Sequence, residues 1–310
     1  MSEPSSQTLR QTISERWAGP ASIAFILFAM VIAFFEKSGA VDHSVAVDKS
    51  GNSGQAAVAS VEPTPDLSKF LTEVGSSRLL DMSYSFDEST IYWPTDKPFR
   101  WEQNRWGPTE NGYWYASANY AASEHGGTHL DSPIHFAEKG DTTDKITLDR
   151  LVSAAVVVDI REKCKTNPDY ELSVADLKSW EAANGRMDHG VILVVRTGWG
   201  QFWPDKKRYL GTDKPGDVDN LHFPGISPDA AKYLVENCQI KGVAIDTPSL
   251  DFGQSKKFET HRILTAENIY GIENLANAGK LPIRGAALIA LPMKIKGGTG
   301  GPVRVMAILP

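Results

Sequence analysis

Apolar residues fall into three regimes along this 310-residue chain. Residues 18–35, Ala-Gly-Pro-Ala-Ser-Ile-Ala-Phe-Ile-Leu-Phe-Ala-Met-Val-Ile-Ala-Phe-Phe, carry no charge, follow Arg10 and Arg16, and stop at Glu36-Lys37. So uniform a run offers no polar face to solvent, and its length lies between a signal-peptide core and a minimal membrane span. It predicts a membrane-targeting segment, either cleaved near Ser38-Gly39-Ala40 or kept as an anchor. Residues 1–17 are then a short cytoplasmic N-terminus, and the rest of the chain is exported, periplasmic or membrane-anchored facing outward. Residues 36–70, rich in Ser, Ala, Gly and Val, read as a flexible spacer before a globular domain at 71–310.

Within the domain, short β-branched runs at Ala154 to Ile160, Val191 to Arg196, Ile240 to Asp246, Ala286 to Leu291 and Val303 to Leu309 lack helical period and predict strands. Helix starts lie between them. Ser173-Val174-Ala175-Asp176 and Ser227-Pro228-Asp229 each place a serine where it can cap a helix, with Pro228 suited to the first turn. Strands alternating with a few helices indicate a mixed α/β domain.

Composition narrows the function classes. A net charge of -6, a pI near 5.7 and the lack of any Lys/Arg stripe interleaved with aromatics exclude a nucleic-acid groove. Cys164 and Cys238 match no metal spacing; Cys238 ends a helix-like run as a small core residue.

The chemistry concentrates in His125-Gly126-Gly127-Thr128-His129-Leu130-Asp131-Ser132-Pro133-Ile134-His135-Phe136, which holds three of the seven histidines. Imidazole and carboxylate without thiolate suit a borderline or hard divalent ion. His125 and His129 stand four apart, but Gly126, Gly127 and Pro133 oppose a helix, so the segment reads as a turn entering an extended strand. Side chains alternate there, pointing His129 and Asp131 the same way, with Pro133 and His135 following where the extension persists, while the glycines fold His125 back. Such a set leaves a coordination position for water, whose pKa the ion lowers enough to attack a carbonyl. Thr128 and Ser132 are suited to orienting the ligands. Tyr92, Trp93, Trp101, Trp106, Trp114 and Tyr115 lie upstream, either as core or as a wall for a flat substrate, with Trp93 and Trp114 the substrate-binding candidates. The chain lacks a Gly-x-Ser-x-Gly elbow near a partner histidine, which disfavours a serine hydrolase.

The same segment resembles the signature of the metal-dependent cyclase family, His-x-Gly-Thr-His-x-Asp-x-Pro-x-His-Phe, whose members include bacterial kynurenine formamidases and isatin hydrolases. Leu80-Asp81-Met82-Ser83 resembles that family's opening strand, Arg196-Thr197-Gly198-Trp199 its central strand end, and Ala244-Ile245-Asp246-Thr247-Pro248-Ser249 a later strand and turn. His261, with Glu273-Asn274-Leu275 beyond it, resembles a second metal-site pair. The resemblance implies a swivelling β/β/α domain around a barrel-like mixed sheet, and one or two divalent ions, Zn2+ or Mn2+, per chain. His125, His129 and Asp131 hold the first ion. His135 either joins His261 and Glu273 around a second, with Asp131 bridging, or acts as a catalytic base beside one. The implied activity is that of an arylformamidase resembling kynurenine formamidase; the alternatives are a lactam hydrolase resembling isatin hydrolase and a non-catalytic exported metal-binding module. The implied partners are a small aromatic amide or lactam and further copies of the chain, in a homodimer or larger assembly.

Overall fold

The computed structural model describes residues 67–310, so the targeting run and the spacer as far as residue 66 lie outside the described residues. The helices are α1 (Leu67–Val74), α2 (Leu148–Leu151), α3 (Arg161–Thr166), α4 (Val174–Asn184), α5 (Lys206–Leu210), α6 (Pro228–Asn237) and α7 (Glu259–Ala266). Helix α1 begins inside the stretch that composition assigns to the spacer. Among the described residues no helix is long and apolar enough to cross a membrane.

The strands are β1 (Leu79–Asp81), β2 (Arg100–Pro108), β3 (Trp114–Ala121), β4 (His129–Asp131), β5 (Val152–Asp159), β6 (Glu171–Leu172), β7 (Ile192–Arg196), β8 (Gly225–Ile226), β9 (Gly242–Ile245), β10 (Tyr270–Glu273), β11 (Ala287–Pro292) and β12 (Gly300–Ile308). The main sheet runs β1-β12-β11-β5-β7-β9-β10-β4, and a further pairing of β4 with β12 closes seven of these strands into a barrel. Strands β5, β7, β9 and β10 are mutually parallel, whereas β4, β11 and β12 join by antiparallel pairings. All five residues of β7 are buried, as expected where helices cover the outside of a parallel sheet.

Period-two alternation divides the core in two. Leu130, Ala155, Val157, Ile192, Val194, Ala244, Ile272, Leu288 and Val305, drawn from all seven barrel strands, fill the interior. The intervening Val156, Val158, Leu193, Val195, Val243 and Ile245 pack outward with Leu177 and Trp180 of α4, Ala230 and Leu234 of α6, and Leu264 of α7. Ser173 caps α4 through a reciprocal box with Asp176, and Ser227 caps α6 with Pro228 in the first turn, as their positions predict. Both cysteines are free and buried.

The alternation also positions the functional residues. Leu130 faces the barrel interior, so its neighbours His129 and Asp131 face outward. On β10, Ile272 likewise points in and leaves Glu273 outside, directly across from His129.

The ribbon β2–β3 stands apart from the barrel. An irregularity between Gln103 and Arg105 shifts the register by one residue, and this brings Trp106, five positions after Trp101, onto the same face. The two indoles meet edge to face at 5.9 Å. Tyr120 and Trp114 share that face through their pairings with Trp101 and Pro108, and all four rings are exposed.

Candidate metal centre

The turn before β4 delivers the first ligand. Gly127 has φ +56°, a left-handed conformation that favours glycine, and it returns the chain so that the His125 and His129 rings lie 5.4 Å apart. Asp131, at the end of β4, is flanked across the sheet by two glycines, Gly271 on β10 and Gly300 on β12. A Cβ on Gly300 would stand 2.6 Å from Cε1 of His125, so the missing side chain is where that imidazole lies. His261 comes from α7 and Glu273 from the end of β10.

Two groups of donor atoms converge there. His125, His129 and Asp131 form one, and Asp131, His261 and Glu273 the other, the atoms of each group lying within 4.8 Å of one another. Asp131 bridges them: Oδ1 lies 2.6 Å from His125 Nδ1 and 3.2 Å from His129 Nε2, while Oδ2 lies 3.3 Å from His261 Nε2. Glu273 approaches His261 Nε2 at 3.1 Å and His129 Nε2 at 3.4 Å. Its Oε1 also accepts the Leu250 N–H at 2.9 Å.

Each histidine is held through its other ring nitrogen. His129 Nδ1 donates to the Gly127 carbonyl at 3.0 Å, His261 Nδ1 lies 2.6 Å from Asp251, and His125 Nε2 lies 2.9 Å from the Thr299 hydroxyl. Three imidazoles tied back in this way present their remaining nitrogens to one space, the arrangement by which outer partners orient metal-ligating histidines. His129 Nε2 is buried and makes no hydrogen bond, although two carboxylates lie near it. A buried imidazole nitrogen without a partner is costly, and a divalent ion would satisfy it. The residues therefore fit a metal.

Electrostatics point the same way. Burial pushes the Asp131 carboxyl up, but His129 and His125 overcome it and hold the group well below the usual carboxylate range. Burial and the neighbouring Asp131 raise Glu273. Burial disfavours a charged His129, yet Asp131 and Glu273 push it up to about 9; His261 is raised well above its ordinary value by Asp131, Asp251 and Glu273, against the same burial. Two buried carboxylates this close require positive charge, which protonated histidines supply in a metal-free site and a divalent ion would supply otherwise.

His135 behaves differently. The extension expected to carry it beyond Asp131 ends there, because Pro133 opens a single 3-10 turn over Pro133–His135 after the extended Ser132. The His135 ring stacks on His125 at 3.9 Å and lies outside both donor groups. Burial and the surrounding histidines push it down to about 4, against the pull of Asp131, so it is neutral near pH 7.

These side chains form the floor of a cavity of about 280 Å³ walled by Trp93, Phe136 and Phe258, with Asp96, Ser249 and Asn274 among its polar lining. Trp93 is where the sequence places it. Trp114 is not: it is 63% exposed on the β2–β3 ribbon and does not line the cavity. Asp251, Thr299, Glu124 and Asp96 escaped the sequence reading, since each acts through contacts far along the chain or carries no motif.

The chain matches the Cyclase family over residues 80–252, more than half its length. It is 36% identical over 195 residues to the isatin hydrolase of Roseibium aggregatum, spanning 60% of this chain and 72% of that protein. It is 29% identical over 231 residues to the kynurenine formamidase of Salinibacter ruber, spanning 74% and 96% respectively. Among solved structures, isatin hydrolase A from Ralstonia solanacearum superimposes with a TM-score of 0.73 at 29% identity, covering 81% of this chain and all of that one (100%). An isatin hydrolase bound to the product analogue thioisatinate gives 0.72 at 30% identity, covering 79% and 97%. The family match contains the turn and strand that carry His125, His129 and Asp131, and on that match and the Roseibium relative this chain belongs to the cyclase family.

Proposed function

We propose that the protein is an exported, metal-dependent hydrolase that opens the carbon–nitrogen bond of a flat aromatic amide, with a cyclic amide as the preferred substrate. The observation that carries the reading is the convergence of three tied-back imidazoles with Asp131 and Glu273 beneath an aromatic-walled cavity. Export rests on the apolar run at 18–35. The lactam is favoured over the formamide because the isatin hydrolase relative is 36% identical against 29% for the formamidase, and solved isatin hydrolases superimpose with TM-scores of 0.72 to 0.73. Aryl formamides remain the second reading, supported by formamidase relatives matched over nearly their whole length.

His125, His129 and Asp131 would hold one ion, and His261 and Glu273, sharing Asp131, a second; nitrogen and oxygen donors without thiolate suit zinc or manganese. A divalent ion there lowers the pKa of the attacking water and polarises the scissile carbonyl. The remaining work belongs to the chain. Trp93, Phe136 and Phe258 orient the flat ring and exclude water from its faces. A nitrogen of His135, neutral and at the rim of the centre, accepts the proton of the attacking water and returns it to the leaving nitrogen as the carbon–nitrogen bond breaks. A homodimer or larger assembly belongs to the same reading, supported by the aromatic face of the β2–β3 ribbon.

The test is metal-stripped protein refilled with zinc or manganese and assayed on matched lactams, aryl formamides and esters. Metal-dependent ring opening is the expected result. Tight metal binding with no turnover on any carbonyl substrate would instead indicate a binding module.

A further inference from the structure

The cavity above the metal centre contains three carboxylates, Asp96, Asp131 and Glu273, and among the described residues neither lysine nor arginine lines it. Asp131 and Glu273 belong to the centre, among the residues that would hold metal. Asp96 does not. It lies on the turn after Trp93, where its backbone N–H donates to the Trp93 carbonyl at 2.9 Å, and it is half-buried. Its carboxylate accepts no hydrogen bond from any described residue. Nearby carboxylates are all engaged: Asp251 by His261, Glu124 by Thr299, Asp131 by His125 and Glu273 by Leu250. Burial raises the Asp96 carboxyl above its ordinary value, and the nearby His125 and His129 offset that only in part.

A half-buried carboxylate lining a cavity, with no donor from the protein, leaves an acceptor for whatever enters. We infer that Asp96 selects the substrate by charge, accepting an N–H or ammonium from a neutral or cationic aromatic amide and rejecting aromatic amides that carry a carboxylate. The inference rests on the hydrolase reading and narrows it. The aromatic walls fix the plane of the ring, the centre takes the scissile carbonyl, and Asp96 reads the remaining polar edge. A substrate carboxylate at that edge would meet the Asp96 carboxylate, a like-charge juxtaposition that costs affinity, and among the described residues no lysine or arginine lines the cavity to offset it. A lactam presents an N–H and no anionic group, so it passes; a substrate with a free amino-acid carboxylate does not.

The experiment uses the full-length, metal-loaded protein and one aryl-amide scaffold in three forms: unsubstituted, bearing an aminomethyl group and bearing a carboxylate. The wild type should show kcat/KM at least about tenfold lower for the carboxylate form than for the neutral form, and no loss for the cationic form. Asp96→Asn should bring the three within about threefold of one another while metal content stays unchanged. Equal or faster turnover of the carboxylate form by the wild type, or undiminished discrimination in Asp96→Asn, overturns the inference while leaving the hydrolase reading intact. If no scaffold is turned over, the hydrolase reading fails instead. The inference is then decided by thermal-shift titration with benzylamine and benzoate: benzylamine alone should stabilise the wild type, and Asp96→Asn should lose that preference. Equal stabilisation by both overturns it.

Discussion

The hydroxyl of Thr299 lies 2.9 Å from Nε2 of His125 and can only accept from it, because its own proton goes to Glu124, 2.5 Å away on the other side. The order of donors therefore commits Nε2 of His125 to Thr299 and leaves Nδ1, which lies 2.6 Å from Asp131, as the nitrogen that would turn to an ion. Thr299→Val preserves the shape and removes the acceptor. It should weaken metal binding by about 10–100-fold, and Thr299→Ser should restore most of it. A chelator competition assay reads both; unchanged affinity in the valine variant would show that the tautomer is set elsewhere.

Gly300 is the second test of the same imidazole. In Gly300→Ala the new methyl would lie 2.6 Å from both His125 Cε1 and the Leu130 carbonyl, so either the ring or the β4–β12 pairing must move. The group formed by His125, His129 and Asp131 should lose its ion, whereas Asp131, His261 and Glu273 retain theirs. Metal analysis should show less ion bound than in the wild type with the barrel still folded by circular dichroism.

Protonation should compete with metal for the centre. In the metal-free protein His129 is raised to about 9 from an ordinary value near 6.5. Its contribution to stability is complete below about 6.5, where the imidazole is charged in both folded and unfolded chains, and is lost as pH rises through about 9. Asp131 gives the opposite dependence on the acid side. Held well below the usual range, it contributes stability above the ordinary carboxylate pKa and loses it as pH falls through its depressed folded value. The melting temperature of metal-free protein should thus fall from pH 6.5 towards pH 9, while the loaded protein, whose ion displaces those protons, stays level over the same window. Parallel profiles for the two forms would sink this account.

His135 separates proton transfer from ligation. Because its ring stacks on His125 outside both donor groups, His135→Ala should retain its metal and lose about 10²–10⁴-fold in rate. Glu273→Ala should instead lose metal from the group it shares with His261. Loss of metal from the His135 variant would place that ring among the ligands after all.

The sequence displayed what is local. The histidine-rich turn, the β-branched strands and the serine caps all depend on near neighbours, and their physical signals survive without tertiary context. His135 was harder because Pro133 ends the extension just after Asp131, so period-two reasoning carried the strand on to a residue that sits in a turn. The β2–β3 ribbon was not legible as an aromatic face. Trp101 and Trp106 are separated by five residues, an odd interval that places them on opposite faces unless the register shifts, as it does between Gln103 and Arg105. Glu124 and Thr299 depend on partners brought together only by the closed sheet, and Asp251, ten residues before His261, carries no motif; single side chains of that kind announce nothing along the chain.

The seam at β4 also has a meaning in time. Its ligands find their counterparts across intervals of 130 residues, from Asp131 to His261, and 174 residues, from His125 to Thr299. Contacts of such separation must overcome the entropy of closing large loops and form late in folding. A growing chain that has not yet released β12 lacks the strand that seals β4 from one side and the Thr299 that sets His125. The first complete site exists only once β12 has paired with β4, and the protein acquires its ion wherever that strand closes the barrel.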